Sequence, residues 1–279
     1  MILVGHLSMN NISSFAKPPF EMKHLQRVSS IIRGEQIAAY MQNARLNPPA
    51  GYENDICIYV KPHIKPGFNF KFEKNSWIDI QDGFDLRHAL NKYSDVGAIV
   101  FSELDAETMK HYIKNKIVLI PHHHCNFERA KRERKGITRV GVTGSFAAFP
   151  LIPATIRQGL KDRNIELVEW SSFYPRTSVA RFHATIDIHL QWRPWKKFLS
   201  CPLKITNAAS FGVPTIAFDE PSFKEMQGAY IGVKTPEEWL EKLDYLIENP
   251  DQYAAYSQNG LDKAERYHID NISKLYQQL

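Results

Sequence analysis

The chain has 279 residues, 43% of them hydrophobic and 12% aromatic, enough for two ordinary cores of about 130 residues each. A formal charge of +5 is a mild excess that suits a diphosphate or another polyanion without requiring one. No run approaches the ~20 apolar residues of a membrane span, and MILVGHLSMNN lacks the basic and apolar regions of a signal peptide. Three scattered cysteines, Cys57, Cys125 and Cys201, suggest no disulfide framework, so a reducing, cytoplasmic setting is expected.

In chain order, ILVGHL at 2–7 reads as a strand, and RGEQIAAYMQNARL at 33–46 has helical spacing that stops before Asn47-Pro48-Pro49. DICIYV at 55–60 and SWIDIQ at 76–81 are strands, followed by Asp82-Gly83 and a helix over 85–93. VGAIVF at 96–101, a helix over 105–115 and KIVLIP at 116–121 complete this half. Strands alternating with helices of about ten residues predict a parallel sheet covered on both faces.

HHHCNFERAKRERKG at 122–136 has no periodicity and reads as an interdomain connection. The alternation restarts with TRVGVTG at 138–144, a helix over 151–163, a strand at 165–170, a helix over 176–183 and a strand at 185–190. WRPWKKFLSCP at 192–202 is a loop, LKITNAASF at 203–211 a helix, PTIAF at 214–218 a strand, and 235–250 a strongly amphipathic helix. The tail from 251 is helical apart from Gly260. The expected architecture is α/β, with an N-terminal Rossmann-like domain over 1–121, a second over 138–260 and a C-terminal helix over 261–279.

Open parallel sheets bind ligands beyond the carboxyl ends of their strands. Three junctions there carry suitable residues. Gly144-Ser145 ends a strand, either bringing backbone amides and a hydroxyl to a ligand or forming a plain tight turn. Arg193, Lys196 and Lys197 are interleaved with Trp192, Trp195 and Phe198; a guanidinium can grip a diphosphate bidentately, and the alternative is a solvated loop whose tryptophans cover the core. Lys204 opens a helix, where its charge adds to free N–H groups, and Asn207 lies on the same face, able to reach a ribose hydroxyl. Gly212 and Pro214 then stop the helix and start the strand.

The stretch K-x-x-N-A-x-x-x-G-V-P-T-I-A at 204–217 resembles the signature K-x-x-E-x-x-x-x-G-x-P-V-I of GT-B glycosyltransferases, and FDEPSFKEM at 218–226 resembles their continuation, with a proline and an acidic residue near the donor sugar. The resemblance implies two Rossmann-like domains facing a cleft, with the last helix returning to the first domain. It implies a nucleotide-sugar donor, a UDP-sugar above all, with no metal. Lys204 and Arg193 would hold the diphosphate, Gly144-Ser145 would form the phosphate turn, and Asn207 would stand where a ribose-binding Glu is usual.

An inverting transferase also needs a base in its acceptor domain. WIDIQDGFD offers Asp79, Asp82 and Asp85, of which Asp82 falls in the loop after the strand; a helix cap or turn is the other reading of Asp82 and Asp85. The histidines at 122–124 are adjacent and lack a second ligand pair, which argues against a metal. His122 is then either a cleft residue, contacting substrate or acting as base, or part of a hinge. The run RAKRERKGITR at 129–139 holds six Arg or Lys against one Glu and is either a solvated basic segment or a phosphate contact.

The expected function is glycosyl transfer from a nucleotide-diphosphate sugar to an acceptor hydroxyl. The acceptor is a glycan or a lipid-linked sugar, or a hydroxymethylated DNA base, towards which the basic run leans. A non-catalytic nucleic-acid or partner-binding protein with a degenerate nucleotide-sugar site is the alternative, and an epimerase of the same shape a third reading.

Overall fold

The computed structural model describes residues 10–18, 21–22, 25–64, 69–132, 136–194 and 199–279. The expected strand at 2–7, Arg134 and Lys135 of the basic run, and Trp195, Lys196, Lys197 and Phe198 lie outside these residues. The chain divides into two compact units, one of residues 1–121 with 272–279, the other of residues 122–271.

In the first unit, strands β1 (Ile12–Phe15), β4 (Ala44–Leu46), β5 (Ile56–Val60), β6 (Ser76–Asp79), β7 (Gly97–Val100) and β8 (Ile117–Leu119) form a parallel sheet in the order β4-β1-β5-β6-β7-β8. A two-strand antiparallel ribbon joins β2 (Glu21–Met22) to β3 (Leu25–Gln26). Every residue of β5, β6 and β7 is buried, as expected of parallel strands covered on both faces. A Cβ on Gly97 would lie 2.2 Å from the Trp77 ring, so the indole on the neighbouring strand requires glycine there.

The expected helix over 33–46 is corrected at both ends. Helical structure covers 28–40, with Ile31–Gln36 in π-helical form, and Ala44–Leu46 is an edge strand paired with β1. Pairing decides this. Asn43 donates to Asn10 O, and Arg45 reaches Asp55 at 2.6 Å, fixing the segment alongside β1.

In the second unit, β9 (Arg139–Thr143), β10 (Glu166–Trp170), β11 (Ile188–Gln191), β12 (Thr215–Phe218) and β13 (Tyr230–Val233) are parallel, in the order β10-β9-β11-β12-β13. Strand β13 escaped the sequence patterns because only Ile231 and Val233 of its four residues are buried. One face of the sheet packs Val140, Val142, Leu190 and Ile216 against Ile156, Leu160, Trp239 and Leu243 of the helices Ala154–Asp162 and Pro236–Glu248. The other face meets the helices Arg176–Thr185 and Leu203–Ala209 through Phe182, Ile186, Ala208 and Phe211.

Gly260 does not interrupt the tail. It sits inside the helix Pro250–Glu265, where a Cβ would come 3.3 Å from that of Ala209, so its role is close helix packing. The break falls at 266–268 instead, before the helix Ile269–Leu275 and the 3₁₀ turn Tyr276–Gln278.

Gly212 ends the helix before β12 in the left-handed region, at φ +67°, and a Cβ would meet Ser257 Oγ at 2.6 Å. Ser257 Oγ donates to Gly212 O at 2.7 Å, so the contact cannot open without losing that bond. Gly212→Ala is expected to cost about 1–2 kcal/mol from backbone strain alone, with the methyl clash in addition. An unchanged midpoint in thermal unfolding would show that this junction relaxes freely.

Candidate functional site

In the second sheet β9 and β11 are neighbours although β10 separates them in sequence, so the strand order reverses between them. A crevice opens at such a switch point, outside the carboxyl ends of the strands. Gly144 and Ser145 leave β9 there, and Trp192 and Arg193 leave β11. Lys204, in the first turn of the helix following β11, donates from Nζ to Thr143 O, the last carbonyl of β9, at 2.6 Å. A Cβ on Gly144 would lie 3.8 Å from that Nζ and 3.2 Å from Ala148 Cβ. Three junctions read separately in the sequence thus include two, after β9 and at Lys204, that meet at one point.

The details revise what each residue can offer. The Gly144 amide is committed to Trp170 O at 3.1 Å. Ser145 is exposed, and its side chain makes no capping bond although it heads the 3₁₀ helix Phe146–Leu151, so its hydroxyl is available to a ligand. Phe146, which the sequence patterns passed over, is 70% exposed beside it. The helix carrying Lys204 is only seven residues long, leaving the lysine side chain as the anion-binding group of this junction.

Arg193 does not present a free fork. Its Nε donates to Glu220 Oε1 at 2.9 Å, its Nη2 donates to Glu220 Oε2, and Nη2 also reaches Ser200 Oγ at 2.6 Å. Glu220 follows β12, the strand beside β11, so the pair ties adjacent strand ends together. The expected bidentate grip on a diphosphate through this edge is therefore corrected: a carboxylate already occupies it. Nothing in the sequence paired Arg193 with a residue 27 positions away; only the register of β11 and β12 does.

Asn207 is largely buried, and its Oδ1 accepts from Cys125 N at 2.8 Å. Asn126 Nδ2 donates to Ser210 O at 2.7 Å one turn later, so residues 125–126 lie bonded along this helix. The oxygen of Asn207 is occupied, and a ligand would meet its Nδ2 donors.

The polar segment 122–126 is buried, with His124 N bonded to Tyr267 O at 3.0 Å. His122 itself is 7% exposed. Burial, with the neighbouring His268 and His123 acting in the same direction, pushes His124 down to about 3, and burial pushes the Cys125 thiol up to about 12. Neither a cationic His124 nor a Cys125 thiolate is on offer there. Among the described residues no group of three or more His, Cys, Asp or Glu is placed to hold a metal.

In the first unit, Asp82 forms an exposed ion pair with Lys61 at 2.5 Å in the turn after β6. Asp79 is buried against Arg33 at 3.0 Å, which makes it structural. Asp85 is 96% exposed at its side chain and makes no capping bond, so the helix-cap reading does not hold for it; it pairs with Arg87 at 3.0 Å.

Among the described residues of the basic run, the three arginines are each paired with a carboxylate. Arg129 pairs with Glu265 at 2.7 Å and Asp270 at 2.9 Å, Arg132 with Asp187 at 3.3 Å, and Arg139 with Glu166 at 2.8 Å. The charge of these three arginines is thus balanced by carboxylates from elsewhere in the unit.

No protein-family model matches the chain, and no curated protein is similar to it in sequence. Solved structures do match. HepE of Anabaena in complex with UDP and glucose aligns over 96% of this chain and 98% of its own, at TM-score 0.63 and 10% identity. The same protein with UDP-glucose gives 0.59 over 95% and 97%, at 11% identity. TarM gives 0.53 at 13% identity over 86% of this chain, which spans only 56% of TarM. The fold resembles that of the GT-B glycosyltransferases. Among the described residues no helix is long and apolar enough to cross a membrane.

Proposed function

We propose that the protein is a nucleotide-sugar-dependent glycosyltransferase whose donor, a UDP-sugar, is held by the second unit. The observation that carries this reading is the placement of Lys204 across the switch point, its ammonium on the last carbonyl of β9 beside Gly144. The solved complexes of HepE with UDP and with UDP-glucose support it, since a chain of nearly the same length and fold holds such ligands.

In this reading Lys204 is a point charge for the diphosphate, stabilising the leaving group as the glycosidic bond breaks. Ser145 supplies a hydroxyl, Arg193 a second cation, and Asn207 a donor to the nucleoside. Transfer proceeds without a metal. Asp82, exposed after β6, and His122 are the groups offered as general base towards the acceptor hydroxyl. A hydroxymethylated DNA base is one form of that acceptor. Its support is the run at 129–139, which the pairing of Arg129, Arg132 and Arg139 reduces to Lys131 and residues outside those described.

Lys204→Ala is expected to weaken UDP binding by about 1.5–3 kcal/mol, the range for a hydrogen bond to a charged group. Calorimetry with UDP measures this directly. Thermal unfolding with a panel of nucleotide-sugars and with duplex DNA tests the wider reading: a transferase gains stability with one donor, whereas a nucleic-acid binder gains it with DNA alone. Stabilisation by no nucleotide in the panel would overturn the proposal.

A further inference from the structure

Glu220 has no part in the reading above, yet it holds the arginine nearest to the carboxyl edge of β11. We propose that Glu220 is the positioning residue of the donor site, fixing the Arg193 guanidinium so that it meets one phosphate end-on through Nη1. This inference rests on the proposed donor-binding function and adds a residue and a geometry to it.

A guanidinium carries five N–H groups. In Arg193, Nε and one N–H of Nη2 go to the two carboxylate oxygens of Glu220, and Nη2 is also engaged by Ser200 Oγ. The two N–H groups of Nη1 meet no acceptor among the described residues. The carboxylate is supported in turn, with Ser222 Oγ 3.5 Å from Glu220 Oε2. Its neighbour Asp219 accepts from Tyr230 OH at 2.8 Å, so the two adjacent acids have separate tasks.

Two roles are open to a carboxylate so placed. It could compete with the phosphate for Arg193 and be displaced when a nucleotide binds, or it could hold Arg193 in place while the nucleotide binds elsewhere on the guanidinium. Burial decides between them. The Glu220 side chain is 9% exposed and that of Arg193 17%. Stripping Arg193 away would leave a largely buried carboxylate without its partner, a cost that matches or exceeds what a phosphate contact returns. Holding is the cheaper arrangement. It also restrains a long side chain whose ordering would otherwise weaken binding.

If Glu220 acts only through Arg193, the two residues form a closed thermodynamic cycle. The test is calorimetric UDP affinity of wild type, E220A, R193A and the double variant, with E220Q and R193K as conservative members and thermal unfolding as the fold control. Expected is a loss of about 10-fold in E220A and in R193A, and no further loss when E220A is added to R193A. E220Q, which can satisfy only part of the fork, is expected to fall between wild type and E220A, giving a graded readout even if E220A folds poorly. Tighter UDP binding in E220A would establish competition and overturn the proposal. Additive losses in the double variant would make Glu220 an independent ligand contact and overturn it equally. Absence of UDP binding by the wild type would instead remove the donor-site reading on which the inference stands.

Discussion

Arg33→Met is expected to destabilise the first unit by about 3–5 kcal/mol, read as a lower urea midpoint. Arg33 is 1% exposed and sits in the π-helical segment Ile31–Gln36. Its Nε lies 3.0 Å from Asp79 Oδ2, its Nη1 donates to Pro121 O and Tyr276 Oη at 3.2 Å each, and its Nη2 donates to Ile120 O. One side chain therefore binds the end of β6, the segment after β8 and the C-terminal turn. Burial pushes the Asp79 carboxyl up, and Arg33 acts against that shift. Removing the arginine leaves a buried acid without its counter-charge and three oxygens without a donor, hence the size of the effect. Two further variants make the prediction specific. Tyr276→Phe, which deletes one bond, is expected to cost about 1 kcal/mol. The apolar pair Arg33→Met with Asp79→Leu is expected to recover much of the loss, because replacing both ions removes the desolvation cost as well as the attraction. A midpoint in Arg33→Met equal to that of the wild type would show that the network is dispensable.

The second unit is expected to lose stability as the pH falls from 6.5 towards 5, well before its carboxylates titrate. His183 and His189 are fully buried, with ring centroids 5.7 Å apart, and His183 stacks on Phe211. Among the described residues neither nitrogen of His183 has a hydrogen-bond partner, and His189 has only Thr215 Oγ1 at 3.3 Å. Burial pushes His183 down to about 3; His189 lies well below its ordinary value from burial, with the His183 and Lys204 charges adding to it. His124 is likewise pushed down to about 3, chiefly by burial. A depressed histidine takes up its proton in the unfolded chain near pH 6.5 but not in the folded one, so stability is complete above 6.5 and declines below it. At pH 5 His183 and His124 each cost about 2 kcal/mol and His189 acts in the same direction, which makes the combined effect large. Denaturant titrations between pH 5 and 7.5 measure the slope. His183→Leu, which takes one proton-binding group out of the unfolded state, is expected to reduce that slope by about one proton. A pH-independent midpoint over this range would show that the rings are protonated in the folded state.

The linear pattern of residues was enough for the α/β class and most of the strands. Runs such as Ile56–Val60 and Gly97–Val100 are apolar throughout because both faces of a parallel strand are covered, and no other local structure suits them as well. It determined the junction at 203–214 too, since a left-handed glycine followed by proline is local chemistry. Packing and pairing in space set the rest. Ala44–Leu46 has helical neighbours and becomes a strand only because β1 lies beside it. Tyr230–Val233 alternates too weakly to be read and is fixed by pairing with β12. The site follows the same division. Lys204, Gly144 and Arg193 were visible as residues at strand ends, but that Lys204 meets the end of β9 follows from a strand order that no linear pattern encodes. Glu220 on Arg193, Arg33 on Asp79 and the carboxylates on the basic run were invisible for one reason: an ion pair is set by distance in space, and these partners are 27 to 141 residues apart in the chain.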